Sequence, residues 1–461
     1  MNLAIRLDMI KKIRGIILIL GDVLAAYLSL LLTLCFGFWG KFSRQILASH
    51  LFPFTILYFA WLIIFYIFDL YELNLARTKL FFYPRLLGAL VTGGLLGTIL
   101  FYLIPGFGIT PKTNLVLNLI IFGALVLLWR KIFYSQSSSR LRNNVAILGQ
   151  TQEAKKLAKE ILARPYLGYT LRAIFKTGPG PFTLKGIKTL KASGNLFSKI
   201  QKQKIDTLIV AEVLKPKSAI SKALYQCLPG KITILDLSKA YEIICGKIPL
   251  SFVGYTWFLE NLREGEKVIF DKIKRIFDLV LAGLLLVVTL PCWALIALAI
   301  KLQDKGTVFY KQKRVGKDRS TFLLIKFRSM KEGAEKEKGP VFAEKDDPRI
   351  TKVGKFLRRT HLDELPQILN VLKGDISLVG PRPERPEFVQ QLEKKISHYH
   401  LRHLIKPGLT GWAQIKFKYA RNVMDSFEKF QYDLYYQKNR NIFLDIGILL
   451  KTFQLLFRST Q

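Results

Sequence analysis

Four cysteines in 461 residues, with no CxxC among them, give no basis for a disulfide framework or a zinc ribbon. Two of them, Cys35 and Cys292, fall inside long apolar runs, and the polar parts of the chain are expected to face a reducing compartment. Acidic residues are scarce too: 33 Asp and Glu stand against 70 Lys and Arg, a formal charge of +37. A surplus of that size suits nucleic acid, an anionic membrane surface or phosphorylated substrates. No basic patch has the form of a known DNA-binding motif, and the basic segments alternate with apolar ones that need lipid or a core. Nucleic acid is therefore not an expected partner.

What the chain has in abundance is apolar surface, half of its residues. Four runs at 16–38, 51–70, 86–104 and 115–133 each approach the roughly 20 residues that a bilayer requires. The first is too long and begins too late for a signal peptide. Arg6, Lys11, Lys12 and Arg14 precede it, Arg77, Lys79 and Arg85 fill the second loop, and Arg130, Lys131, Arg140 and Arg142 follow the fourth run. The other loops hold only Lys41 with Arg44, and Lys112. The positive-inside rule then puts both ends of a four-helix membrane bundle (1–143) in the cytoplasm. Asp22, inside the first run, is costly there and by default marks function; a hydrogen bond between packed helices is the preferred reading.

From 144 to 267 strand-like and helix-like pieces alternate (NVAILG, QEAKKLAKEILA, YTLRAIF, DTLIVAE, KITILDL), which predicts a Rossmann-like parallel sheet with crossover helices. Its first turn, GQTQEA, keeps only the first glycine of GxGxxG, so a pyrophosphate cannot approach the backbone closely. The domain reads as a nucleotide-binding fold that has lost its nucleotide. A fifth apolar run at 276–300 follows, flanked by Lys272, Lys274 and Arg275 on one side and Lys301 and Lys305 on the other. Pro291 predicts a kink or a helix-break-helix there. An ordinary kinked span and a re-entrant hairpin that returns both basic ends to the cytoplasmic face both remain open.

The third part, 268–461, carries the chemistry. In HLDELPQILNVLKGDISLVGPRPERPEF, Gly374 is a helix stop, Asp363 has the position of an N-cap, and Thr360 with Asp363 approximates a capping box. Alone, Asp363 would be read as a capping carboxylate. Glu364 adjoins it, however, Arg358 and Arg359 lie upstream, and Arg382 and Arg385 lie downstream among prolines. Paired carboxylates with phosphate oxygens form the hard shell that Mg²⁺ prefers, and arginine matches phosphate bidentately. That combination suits transfer of a phosphate group, with one carboxylate as nucleophile.

The runs FYKQKRVGKDRSTFLLIKFRSM, DPRITKVGKFLRRT, DELPQILNVLKGDISLVGPRP and KPGLTGWAQI resemble, in order, the bacterial sugar transferase family, the monotopic polyprenyl-phosphate glycosyl-1-phosphate transferases. The resemblance implies a mostly α catalytic domain with a re-entrant membrane helix broken at Pro291, in the bacterial inner membrane, facing the cytoplasm. It implies transfer of a sugar-1-phosphate from a UDP-sugar to undecaprenyl phosphate with release of UMP, at the start of exopolysaccharide, capsule or O-antigen assembly. Asp363 then matches the nucleophile of a ping-pong reaction and Glu364 its partner at Mg²⁺. Arg358, Lys326, Arg328 and the Pro381, Arg382, Pro383 element match substrate or phosphate contacts, and Lys274 with Arg275 match the basic start of the re-entrant helix. One departure is visible: Leu290, rather than a serine, precedes Pro291. Homo-oligomerisation is left open.

A non-catalytic scaffold or sensor would explain the apolar runs and the charge, but not the company that Asp363 keeps. His398, His400 and His403 could bind zinc; packing or phosphate contact is preferred, because positive charge surrounds them. Asp346 with Asp347 is read as a turn before a strand. The closing NIFLDIGILLKTFQLLF is expected to lie on the membrane or against the re-entrant helix.

Overall fold

The computed structural model describes residues 3–457 except 39–41, 72–78, 105–106, 108–111, 138–142, 165–167, 179–183, 193–194, 213–217, 231, 305, 332–348 and 418–421. Arg77, Arg140, Arg142, Lys41, Lys305, Asp346 and Asp347 thus lie outside the described residues. The described chain forms two compact units, Met1–Cys245 and Gly246–Gln461.

The first unit opens with helices α1 (Leu3–Gly37), α2 (Arg44–Ile67), α3 (Lys79–Leu103) and α4 (Lys112–Ser137). Each holds a stretch long and apolar enough to cross a membrane, and a fifth such stretch lies within Tyr255–Gln303. Leu30, Leu34, Phe54, Trp61, Phe122 and Val126 meet inside the bundle, while Leu24, Phe59, Leu87 and Ile120 point outward. Apolar side chains on both faces are what a lipid solvent permits and water does not. Asp22 is buried in an ion pair with Arg130 at 2.5 Å, and Arg130 also donates to the Leu70 carbonyl at 3.0 Å. The preferred packing role for Asp22 fits this geometry. Arg130, however, is no interfacial charge of the kind the positive-inside rule counts, because the only acid in α1's apolar stretch draws it into the bundle.

The same unit continues as an α/β domain: β1 (Asn143–Leu148), α5 (Gln152–Ala163), β2 (Tyr169–Lys176), β3 (Lys188–Lys191), α6 (Leu196–Lys202), β4 (Thr207–Val210), α7 (Ala219–Cys227), β5 (Thr233–Asp236) and α8 (Leu237–Cys245). The five strands are all parallel in the order β3-β2-β1-β4-β5, as the alternation predicts. Val145–Leu148 of the central strand are wholly buried, which is why this strand reads as an unbroken apolar run.

The second unit begins earlier in the chain than the composition shift suggests. Lys247 pairs with Glu428 at 2.8 Å, and Lys267 donates to the Lys438 carbonyl at 2.9 Å, so 246–267 folds with the C-terminal segments. Its elements are α9 (Tyr255–Asn261), α10 (Val268–Asp304), the antiparallel hairpin β6 (Phe309–Val315) and β7 (Thr321–Phe327), α11 (Lys352–Arg359), α12 (Gln367–Lys373), β8 (Ser377–Val379), α13 (Pro386–Lys395), β9 (Gly408–Thr410), α14 (Trp412–Lys416), α15 (Val423–Asn439) and α16 (Ile442–Phe457).

Helix α10 runs 37 residues without interruption through Pro291, so the helix-break-helix form is not what is seen. The hydroxyl that Leu290 lacks is present one residue earlier: Thr289 donates to the Leu285 carbonyl at 2.7 Å and accepts from Trp293 Nε1 at 3.2 Å. Such back-bonding bends a helix without breaking it. Ala282 packs in a core with Leu324, Ile368, Val371 and Ile448, while Val280, Leu284, Val287 and Leu298 stay exposed. Helix α16 is tied to α10 by Lys274–Asp445 at 2.5 Å and leaves Phe443 and Phe453 outward.

Candidate active site

Helix α11 ends at Thr360, whose hydroxyl donates back to the Phe356 carbonyl at 2.9 Å. His361 then takes a left-handed conformation, φ 57°, and turns the chain into a 3₁₀ turn at Leu362–Glu364. Asp363 and Glu364 sit on this turn, ahead of α12. The capping expectation therefore fails: Thr360 closes the preceding helix, and α12 starts after Pro366 with no side-chain cap. A carboxylate that caps nothing is available for chemistry.

Asp363 is 7% exposed. Burial raises its pKa; Lys326, Arg358 and His361 oppose the rise, and neighbouring Glu364 adds to it. Glu364 differs. Burial pushes it up as well, but Arg382 and Lys326 together overcome that and hold it well below the usual carboxylate range. Lys326 Nζ donates to Glu364 Oε1 at 2.8 Å, and Arg382 grips both oxygens, Nη1 to Oε2 at 3.3 Å and Nη2 to Oε1. Arg358 is fixed by a 2.8 Å bond from Nε to Ser329 Oγ. The pKa values of two adjacent acids are thus shifted in opposite directions because their cations are shared unequally.

The loop that carries Arg382 is held by its backbone. Gly380 N donates to the Thr410 carbonyl at 2.8 Å and Gly408 N to the Pro381 carbonyl at 2.9 Å. A Cβ on Gly408 would lie 2.0 Å from Gly380 N, so VGPRP and KPGLTG interlock through glycines that tolerate no side chain. Arg314 donates to the Pro383 carbonyl at 3.1 Å, and Arg402 to the Arg382 carbonyl at 3.1 Å. Arg402 is itself buried against Asp433 at 2.9 Å. Arg402, Asp433 and Gln367 escaped the sequence reading. The last buries its Nε2 without a hydrogen-bond partner one turn after Glu364.

The remaining expected residues lie elsewhere. Arg275 donates to the Val371 and Leu372 carbonyls at 2.6 and 2.7 Å, closing the C-terminus of α12, and Lys274 faces Asp445. Arg328 is buried against Gly306, where a Cβ would meet its guanidinium. His398 lies against Tyr255 and Phe258, with ring centroids 4.9 and 4.7 Å apart. Burial, with Arg402 and Arg319, lowers His403 to about 3. That histidine stays neutral, and the packing role follows from the geometry. The donor set at the turn suits Mg²⁺, which takes one or two carboxylates and completes its shell from substrate phosphates. Asp363 caps no helix, and Glu364 is ionised with acceptor capacity left on Oε2.

A profile of the bacterial sugar transferase family matches residues 269–459, and one described as a CoA-binding domain matches 66–235. The chain is 37% identical over 235 residues to the UDP-N-acetylgalactosamine-undecaprenyl-phosphate N-acetylgalactosaminephosphotransferase of Aeromonas hydrophila, covering 50% of this chain and 53% of that protein. It is 33% identical over 316 residues to the UDP-glucose:undecaprenyl-phosphate glucose-1-phosphate transferase of Escherichia coli K12, covering 67% and 66%. To the protein of the same name in Klebsiella pneumoniae it is 32% identical over 335 residues, covering 71% and 70%. The chain belongs to the bacterial sugar transferase family. It spans about half the length of the Aeromonas protein and about two thirds of the other two.

The described crevice of the α/β domain does not suit the diphosphate of a CoA or a dinucleotide. Gly149, φ 116°, turns sharply at the end of β1, yet a Cβ there would meet Glu212 Cγ at 2.8 Å. The Glu212 carboxylate, accepting from Thr177, sits at the strand ends where a diphosphate needs donors.

Proposed function

We propose that this chain transfers a sugar-1-phosphate from a UDP-sugar to undecaprenyl phosphate and releases UMP, with Asp363 as the nucleophile. The observation that carries the reading is a buried, uncapped carboxylate beside a second one already gripped by Lys326 and Arg382. The names of its relatives point the same way. The first half-reaction joins an Asp363 oxygen to the phosphorus that bears the sugar and breaks that phosphorus's bond to the bridging oxygen, which leaves with UMP. In the second, an oxygen of undecaprenyl phosphate attacks the same phosphorus, breaks the acyl phosphate and restores the carboxylate. Kinetics should be ping-pong.

Arg382 and Lys326 present N–H groups already converged on an anion, so the diphosphate can replace part of Glu364's claim on them without reorganisation. Arg402 and Arg314 keep the Arg382 backbone in place. Mg²⁺, held by Glu364 beside Asp363, would neutralise diphosphate charge. In this reading α1–α4 cross the inner membrane, α10 dips into it with a bend at Thr289–Pro291 that keeps both basic ends toward the cytoplasm, and the catalytic unit faces the cytoplasm. The test is UMP release by the full chain in lipid with undecaprenyl phosphate, Mg²⁺ and a panel of UDP-sugars. Release with a single donor, lost in Asp363→Asn, is the expected result; equal release from the variant would overturn the assignment.

A further inference from the structure

The second unit also holds a cavity of about 100 Å³ whose lining includes none of Asp363, Glu364, Arg358 or Arg382. Five cations border it. Lys274 is engaged by Asp445 at 2.5 Å, Arg440 by Glu264 at 2.7 Å and Asp271 at 3.2 Å, and Arg275 by two carbonyls. The other two, Lys317 and Lys406, make no ion pair among the described residues, although both line the cavity. Like charges also converge there: a Cβ on Gly374 would meet Arg275 Nη2 at 3.2 Å and Lys406 Nζ at 3.5 Å. Burial, with Arg275 and Lys317 nearby, lowers the Lys406 pKa against the opposing effect of Asp278 and Asp271. Asp271 and Asp278 are the acids of the lining, and both already accept, from Arg440 and from Leu378 N.

Size and setting narrow the occupant. Drug-sized ligands fill about 300–1,000 Å³. This volume therefore admits one tetrahedral oxyanion and excludes a nucleotide sugar. Its borders are greasy on the outside: Ile269 is 74% exposed and Phe443 85%, two residues from Asp271 and three from Arg440. Lys274 is buried and Arg275 half-buried in the lining, while Lys317 and Lys406 are exposed. Cations that reach the surface beside exposed apolar side chains are the arrangement that meets a headgroup at a bilayer surface. We propose that the cavity is a binding site for the phosphate of an anionic membrane phospholipid, with Lys317 and Lys406 as its gripping cations. It is distinct from the Asp363 cluster and does not depend on the activity assigned to that cluster.

The test uses the full chain in nanodiscs of phosphatidylcholine with or without phosphatidylglycerol, with retained lipid counted by native mass spectrometry. One phosphatidylglycerol held per chain against excess phosphatidylcholine is expected. Lys317→Gln with Lys406→Gln should weaken retention about 30-fold. Lys317→Arg with Lys406→Arg should keep it, and so should the charge-matched control Lys311→Gln with Lys313→Gln on β6, outside the lining. Retention unchanged in the first variant, or lost equally in the control, would overturn the site. Inorganic phosphate should compete with the lipid; phosphate that binds where phosphatidylglycerol is not preferred over phosphatidylcholine would overturn the lipid as occupant.

Discussion

The membrane bundle and the catalytic unit each bury a carboxylate against an arginine, and the two sites put the pairing to opposite uses. In the bundle, Asp22 and Arg130 form a one-to-one pair, with the Leu70 carbonyl taking a further donor. Charge is balanced one to one, although Asp22 Oδ1 and Arg130 Nε are buried without a hydrogen-bond partner among the described residues. At the 3₁₀ turn, two acids share Lys326, Arg382 and Arg358, and one acid receives most of the pairing. The imbalance leaves Asp363 with the smaller share of the positive charge. A buried ion pair is weak evidence for stability in either case, since desolvation offsets most of its attraction. What separates structure from site here is whether the charges of the cluster match one to one.

The largest test of that contrast is Asp363→Asn. Transfer should fall by at least about 1,000-fold, as when a covalent nucleophile is removed, while thermal unfolding of the catalytic unit moves slightly upward. The sign follows from the raised pKa: an acid raised on folding opposes folding wherever it is ionised, above its folded value, and an amide removes that opposition. Next is Arg130→Met in the bundle. Leaving Asp22 buried alone should cost about 3–5 kcal/mol, read as a lower melting temperature, with UMP release per folded molecule unchanged; Asp22→Asn with Arg130→Met should recover most of the loss.

Glu364→Gln gives a smaller and more discriminating effect. Turnover should drop about 10- to 100-fold, yet UMP should bind more tightly, because Arg382 and Lys326 lose their internal anion; UMP affinity by calorimetry decides. Weaker UMP binding would mean that Glu364 holds those cations in place rather than standing in for substrate. The gentlest test is pH. Activity should fall on acidification through the raised pKa of Asp363, above the range of an ordinary aspartate. Stability from Glu384, lowered to about 2 by Lys429 and Arg402 against the effect of burial, should decline only as pH falls from about 4.5 toward 2. Activity and fold would then be lost at separable pH values.

Much of this was legible from composition and order. Apolar run length announced α1–α4 and α10, because a bilayer sets that length. Alternation announced the parallel sheet, and adjacency along the chain placed Asp363 beside Glu364. The family followed from motifs read in sequence. Other features could not be read this way. Spacing alone offered Asp363 as an N-cap, a reading that its charged neighbours outweighed, and only the left-handed turn at His361 shows that one helix ends before the next begins.

By itself the sequence determined which segments are apolar enough for lipid, which alternate into a sheet, and which acids and arginines are near neighbours. Tertiary structure alone decided which cation serves which acid. Lys274 went to Asp445, Arg130 to Asp22 and Arg402 to Asp433, across separations of 171, 108 and 31 residues. The physical reason is desolvation. A charge taken out of water must find its counter-charge wherever the fold brings one, and that distance leaves no trace in local spacing.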